Sequence, residues 1–171
     1  MILAIDPSVA STGYCVFHNN NKLIKYGNIP TDKNDFDNED DRLNYIGDVI
    51  FHTLKEYDVK VVVMENQFIG NNVTTGMLLK KLSGVLCRVC KDIDEVVYYT
   101  PAQWRKILGI NKSKDKKQSA FEYVNQNVEE VHFEKLIKSG KKKNEDIIDS
   151  ICIGLAYLKE GKNGGFYGKY K

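Results

Sequence analysis

Four carboxylates occupy positions from which a folded chain can gather them. Asp6 ends an apolar run, Met1 to Ile5, and Glu65 ends a second, Val61 to Met64. Asp146 and Asp149 are three residues apart and share one face of a helix. Crowded carboxylates repel one another and cost stability unless cations neutralise them. Hard divalent ions such as Mg²⁺ take oxygen ligands. Two such ions about 3.5–4 Å apart activate water and stabilise the leaving oxygen in phosphodiester hydrolysis. Singly, each residue has a plainer use: Asp before Pro forms turns, and acidic residues suit the first turn of a helix. Their joint placement points to metal-assisted chemistry.

The bases are gathered elsewhere. The net charge of the 171 residues is only +2, but residues 31–60 hold four bases against nine acids. Residues 101–143 hold eleven bases against five acids, and residues 151–171 four against one. A segregated basic region suggests a polyanionic partner.

These residues need elements to hold them. Met1 to Ile5, Tyr14 to Phe17 and Leu23 to Ile29 read as three strands joined by short polar turns, an antiparallel meander. Leu43, Ile46, Ile50, Leu54 and Tyr57 recur at helical spacing. Val61 to Met64 is a continuous apolar run, as in a central strand. Asn66 to Thr75 is a polar loop. Leu78, Leu82, Val85, Leu86 and Val89 mark a second helix, and Glu95 to Thr100 a fifth strand. Pro101 suits the first turn of a helix over Ala102 to Leu108. Further helices are predicted over Gln118 to Val128 and Glu145 to Lys159. The order gives an α/β plan: a five-stranded mixed sheet, three meander strands plus two parallel strands, with helices on both faces. The length suits one domain, residues 1–160, with a Gly/Lys/Tyr-rich, mobile tail over 161–171.

Composition narrows the classes further. No run approaches the roughly 20 apolar residues of a membrane span, and the apolar start lacks a basic leader and is broken by Asp6, so a cytoplasmic protein without membrane contact is expected. Cys87 and Cys90 have CxxC spacing, but no second pair or suitably spaced histidine completes a zinc site. Cys87 and Cys90 lie inside an amphipathic helical pattern and are read as buried thiols in a reducing compartment.

Ile2-Leu3-Ala4-Ile5-Asp6-Pro7-Ser8-Val9-Ala10-Ser11-Thr12-Gly13-Tyr14 resembles the opening motif of the RuvC Holliday-junction resolvases. Val62-Val63-Met64-Glu65-Asn66-Gln67-Phe68 is similar to their second acidic strand, and Asp146-Ile147-Ile148-Asp149 to their closing acidic helix. Thr100 to Lys106 and Lys114 to Gln118 resemble the basic segment between them. The resemblance spans the chain to about Leu158.

It implies an RNase H-like fold and a homodimeric endonuclease that makes paired, symmetrical nicks in four-way DNA junctions. It implies two Mg²⁺ ions per active site, with Mn²⁺ as a substitute, held by Asp6, Glu65, Asp146 and Asp149. Phe68 matches a family aromatic that packs into the strand-exchange region. Arg105 and Lys116 match basic residues near the scissile phosphate, with Lys114 and Lys117 close in register. The dimer face is expected on the second helix, around Met77, Leu78 and Leu82. Two departures stand out. Ser8 replaces the family's usual glycine, which questions any φ > 0 turn there, and Trp104 lies in the basic segment. The rival readings are a nuclease for forks, flaps or RNA–DNA hybrids, and a junction-binding protein without catalysis. An actin-like ATPase needs two such domains, more than 171 residues supply. A branch-migration motor as partner is neither indicated nor excluded.

Overall fold

The computed structural model describes residues 1–66, 73–112, 114–129 and 144–162. Five strands form one sheet: β1 (Ile2–Asp6), β2 (Ser11–Phe17), β3 (Leu23–Pro30), β4 (Val61–Glu65) and β5 (Glu95–Tyr99). Their spatial order is β3-β2-β1-β4-β5. The first three pair antiparallel, whereas β1–β4 and β4–β5 are parallel. Among the described residues, five α-helices surround the sheet: α1 (Glu39–Glu56), α2 (Val73–Val89), α3 (Pro101–Leu108), α4 (Lys116–Asn127) and α5 (Glu145–Lys162). This is the mixed sheet that the periodicity predicts.

Strand alternation divides the core into two layers. Ile2, Ala4, Cys15, Phe17 and Val63 face Trp104, Val124 and Ile151 of α3, α4 and α5. Leu3, Ile5, Val16, Val62 and Met64 face Leu43, Ile50, Leu82 and Leu86 of α1 and α2. β1 and β4 are covered on both sides, so both read as unbroken apolar runs.

Boundaries move where tertiary pairing competes with local propensity. Ser11, Thr12 and Gly13 look like turn residues, yet they extend β2, pairing with Pro30, Ile29 and Asn28. α4 starts at Lys116, two residues early, because the Asp115 side chain accepts a hydrogen bond from the Gln118 N–H as its N-cap. α5 runs to Lys162, so the predicted tail from 161 begins inside a helix, and 163–171 lie outside the described residues. α1 opens on the Asn38 cap with Glu39, Asp40 and Asp41 in its first turn, where the helix dipole favours acids.

One cysteine expectation fails. Cys15, Cys90 and Cys152 are buried, but Cys87 is exposed, its Sγ 3.3 Å from the Tyr98 hydroxyl. Cys87 lies within α2, whereas Cys90 follows its last residue and joins the core.

Candidate active site

β1 and β4 run parallel in register, Ile5 opposite Met64, so their last residues, Asp6 and Glu65, emerge side by side. By alternation, Asp6 follows Ile2 and Ala4, and Glu65 follows Val63. Both carboxylates therefore face the α3–α5 layer. α5 lies across that layer and brings Asp146 and Asp149 to the same end of the sheet.

Gly13 makes this approach possible. It pairs with Asp6, and a Cβ on it would lie 2.0 Å from the Asp146 carbonyl oxygen. No side chain fits, so the N-terminal turn of α5 rests directly on β2. Ser11, two residues earlier, hydrogen-bonds the Asp146 side chain and accepts a bond from Asn28 Nδ2 at 3.0 Å.

The turn between β1 and β2 needs no left-handed residue. Outside glycine, φ is positive only at Asn21 and Asp58 among the described residues, so Ser8 replaces glycine without backbone strain. Thr12 Oγ1 donates to the Ser8 carbonyl at 2.6 Å, and the Ser8 N–H donates back to Thr12 Oγ1 at 3.3 Å.

The four carboxylates feel one another. Burial raises the Asp6 pKa well above the ordinary range, and repulsion from Glu65, Asp149 and Asp146 raises it further, with Arg105 opposing. Burial pushes Asp149 up to about 7, against the pull of Arg105. Burial also raises Glu65 and Asp146, opposed at Glu65 by the Trp104 hydrogen bond and Arg105 and at Asp146 by the bond from Ser11. Glu145 adds repulsion at Asp146 and Asp149.

Three cationic or polar partners face this charge. Arg105 Nη2 lies 4.0 Å from Asp149 Oδ2. Trp104 Nε1 donates to Glu65 Oε2 at 2.9 Å. Lys117 pairs with Glu145 and feels Asp149 and Asp146 beyond it. α3 owes its position to caps at both ends: a Thr100–Gln103 capping box with Pro101 at N1, and Gly109 at φ 82°.

Among the described residues, no three of these acidic side chains converge closely enough to hold an ion as they stand. The donor set nevertheless fits hard divalent cations: all oxygen, half-buried, and more negative than the nearby Arg105 and Lys117 can offset. Asp6, Glu65, Asp146 and Asp149 are the residues that would hold them. A cleft of about 420 Å³ opens beside this set, walled by Asp6, Glu65 and Asp146 on one side and by Thr75, Leu78 and Leu79 of α2 on another.

The predicted acidic set and Arg105 thus come together. Lys117 joins them, whereas Lys114 and Lys116 are exposed at the start of α4. Phe68 lies outside the described residues. The expected dimer face separates into three environments: Leu82 is in the core, Leu78 lines the cleft, and Met77 is exposed, as is Val73. Sequence reasoning passed over Glu145, Ser11 and the role of Trp104. The first two are ordinary helix-start and turn residues by type, and only the lone tryptophan was conspicuous.

A five-stranded sheet in this order, with acids ending β1 and β4 and a closing acidic helix across them, defines the RNase H-like class. Residues 2–156 match the family model described as crossover junction endodeoxyribonuclease RuvC, and the chain belongs to that family. A RuvC from Clostridioides difficile is 28% identical over 167 residues, covering 95% of this chain and 92% of that protein. One from Dictyoglomus thermophilum is 29% identical over 169 residues, covering 94% and 99%. In fold, the chain is similar to T. thermophilus RuvC in complex with a Holliday junction substrate, with TM-score 0.73, 14% identity and 95% of each chain covered. It is also similar to the Fowlpox virus resolvase bound to Holliday junction DNA, with TM-score 0.60, 18% identity, and 93% and 97% covered.

Proposed function

We propose that the chain is a Holliday junction resolvase, a metal-dependent endonuclease that makes paired, symmetrical nicks in four-way DNA junctions. The observation that carries this reading is that three separate elements bring Asp6, Glu65, Asp146 and Asp149 to one end of the sheet, near enough to repel one another, in a chain of the RuvC family. The reaction is hydrolysis of a phosphodiester by water, leaving a 5′-phosphate and a 3′-hydroxyl.

Two Mg²⁺ ions, when bound, neutralise the acidic cluster, activate the water and stabilise the leaving oxygen. The chain supplies the rest. Asp6, Glu65, Asp146 and Asp149 are the residues that would hold these ions. Arg105 and Lys117 set positive charge beside the acids, where the phosphate of the cut strand would otherwise be repelled. Lys114, Lys116 and neighbouring bases bind flanking phosphates, and such contacts make affinity fall with salt.

The proposed assembly is a homodimer, because a two-fold protein presents two identical sites to a pseudo-symmetric junction. Exposed Val73 and Met77 on α2 support this face.

The deciding experiment is a substrate panel. A synthetic four-way junction, a fork, a flap and an RNA–DNA hybrid are each incubated with Mg²⁺ or with EDTA. Mg²⁺-dependent cutting strongest on the four-way junction is expected. Preferential cutting of the fork, flap or hybrid would replace the resolvase reading with a nuclease for that substrate. Tight junction binding without cutting in any metal would make the chain a recognition protein.

A further inference from the structure

The acidic cluster has a neighbour that the proposed mechanism does not use. Trp104 is fully buried in the first turn of α3 and is the single tryptophan of the chain. A buried indole N–H needs an acceptor, and many serve. Here the acceptor is Glu65 Oε2, at 2.9 Å. The same ring carries the Arg105 guanidinium over its face, Cζ 4.2 Å from the centroid, and that guanidinium reaches Asp149. One rigid side chain, on a helix capped at both ends, therefore touches two members of the site by two different edges.

We infer that Trp104 is a positioning residue that holds the Glu65 carboxylate in its ion-binding orientation through the indole N–H, while its ring face holds Arg105 toward Asp149. The indole is donor-only, so it pairs with the ionised carboxylate and never competes for a cation. A Glu side chain has three rotatable bonds, and repulsion from Asp6 drives it away from the cluster. The indole bond opposes that movement, and ring packing in the α3–α5 core keeps the donor itself still. Partners of this kind orient metal ligands, and losing one typically weakens metal binding. Among the described residues, Arg105 Nε is buried without a hydrogen-bond partner, which suits a guanidinium held by stacking as well as by charge.

The inference rests on the metal-dependent reading above, so its test separates the two. Trp104→Phe keeps an aromatic ring in the core, removes the N–H donor and gives up the volume of the second ring. Mn²⁺ is titrated calorimetrically into the full chain without DNA. Half-saturation is expected at about tenfold more Mn²⁺ than in the wild type, with cutting at saturating Mn²⁺ within about threefold. Trp104→Phe that folds and keeps wild-type half-saturation would reduce Trp104 to a packing residue and overturn the inference. The wild type supplies a second measurement, independent of any variant's folding. Its sole indole gives one ¹H–¹⁵N side-chain resonance, expected to shift saturably with Mg²⁺ and to move in Glu65→Ala. An indole resonance indifferent to Mg²⁺, in protein that calorimetry shows to bind the ion, overturns the inference alone. A wild type that binds neither Mg²⁺ nor Mn²⁺ overturns the metal-dependent reading and this inference together.

Discussion

Asp6 carries a heavy electrostatic load. Burial and three neighbouring carboxylates all disfavour its charged form, and only Arg105 opposes them. Removing that charge should therefore separate function from folding. Asp6→Asn is expected to abolish cutting while leaving junction binding intact, as a gel-shift assay beside a nicking assay would show. Its melting temperature without metal should rise by about 2–4 °C, the shift that ~1 kcal/mol produces in a chain of this size. Adding Mg²⁺ should stabilise the wild type more than this variant, because binding to the folded state raises apparent stability. A variant that cuts at the wild-type rate would remove Asp6 from the site. At Lys117 the expected outcome is milder. The Lys117→Ala change removes the exposed partner of Glu145, so cutting should slow by roughly tenfold or less while stability stays nearly unchanged, as surface ion pairs contribute little.

The elements matter through how closely they approach. α5 can place Asp146 only because Gly13 lets helix backbone rest on strand backbone. Gly13→Ala adds one methyl group that must force α5 outward. The expected outcome is a loss of cutting of at least about a hundredfold, since a misplacement of 1 Å at a reacting centre costs that much. A lowered melting temperature should accompany it, and circular dichroism with a cutting assay would read both. Unimpaired cutting in this variant would mean that α5 does not position its aspartates from this contact. α3 is placed by its caps and by the pairing of the Asn66 N–H with the Tyr99 carbonyl at 2.8 Å, which carries β4–β5 pairing past Glu65. The far end of α5 is tied to β5 by hydrogen bonds from Tyr157 to Glu95 at 2.9 Å and from Tyr99 to Glu160.

The whole molecule is a nearly neutral chain with strongly divided charge. The acid-rich α1 packs on the opposite face of the sheet from the α3–α4 region that holds Arg105, Lys106, Lys112, Lys114, Lys116 and Lys117. Junction affinity should fall steeply with ionic strength, and Lys114→Ala with Lys116→Ala should flatten that dependence by about two counterions, read as the slope of log affinity against log salt. Pairing of nicks belongs to this scale too. Val73→Glu with Met77→Glu puts charge on the exposed start of α2. Sedimentation should then show monomers, and the two nicks of a junction should become uncoupled. A dimer unaffected by both charges would place the interface elsewhere.

Much of this was legible before any coordinates. Strand and helix order follows from apolar periodicity, which records whether one or both faces of an element are buried. The four acids stood out because each ends an apolar run or shares a helix face. The sequence by itself therefore determined the element order, the acidic set and the location of the bases. It could not separate Lys117 from Lys114 and Lys116, because a shift of one residue on a helix turns a side chain by 100° and local spacing does not say which face is used. It placed Leu78, Leu82 and Met77 on one surface, although packing against α1 sends them to cleft, core and solvent. The turn-like Ser11-Thr12-Gly13 became strand through pairing with β3, and at Gly13 with β1 as well. Only the tertiary structure decided that Trp104 meets Glu65 at a separation of 39 positions, since a hydrogen bond between distant segments depends on how α3 docks against β4, and no local pattern encodes that distance.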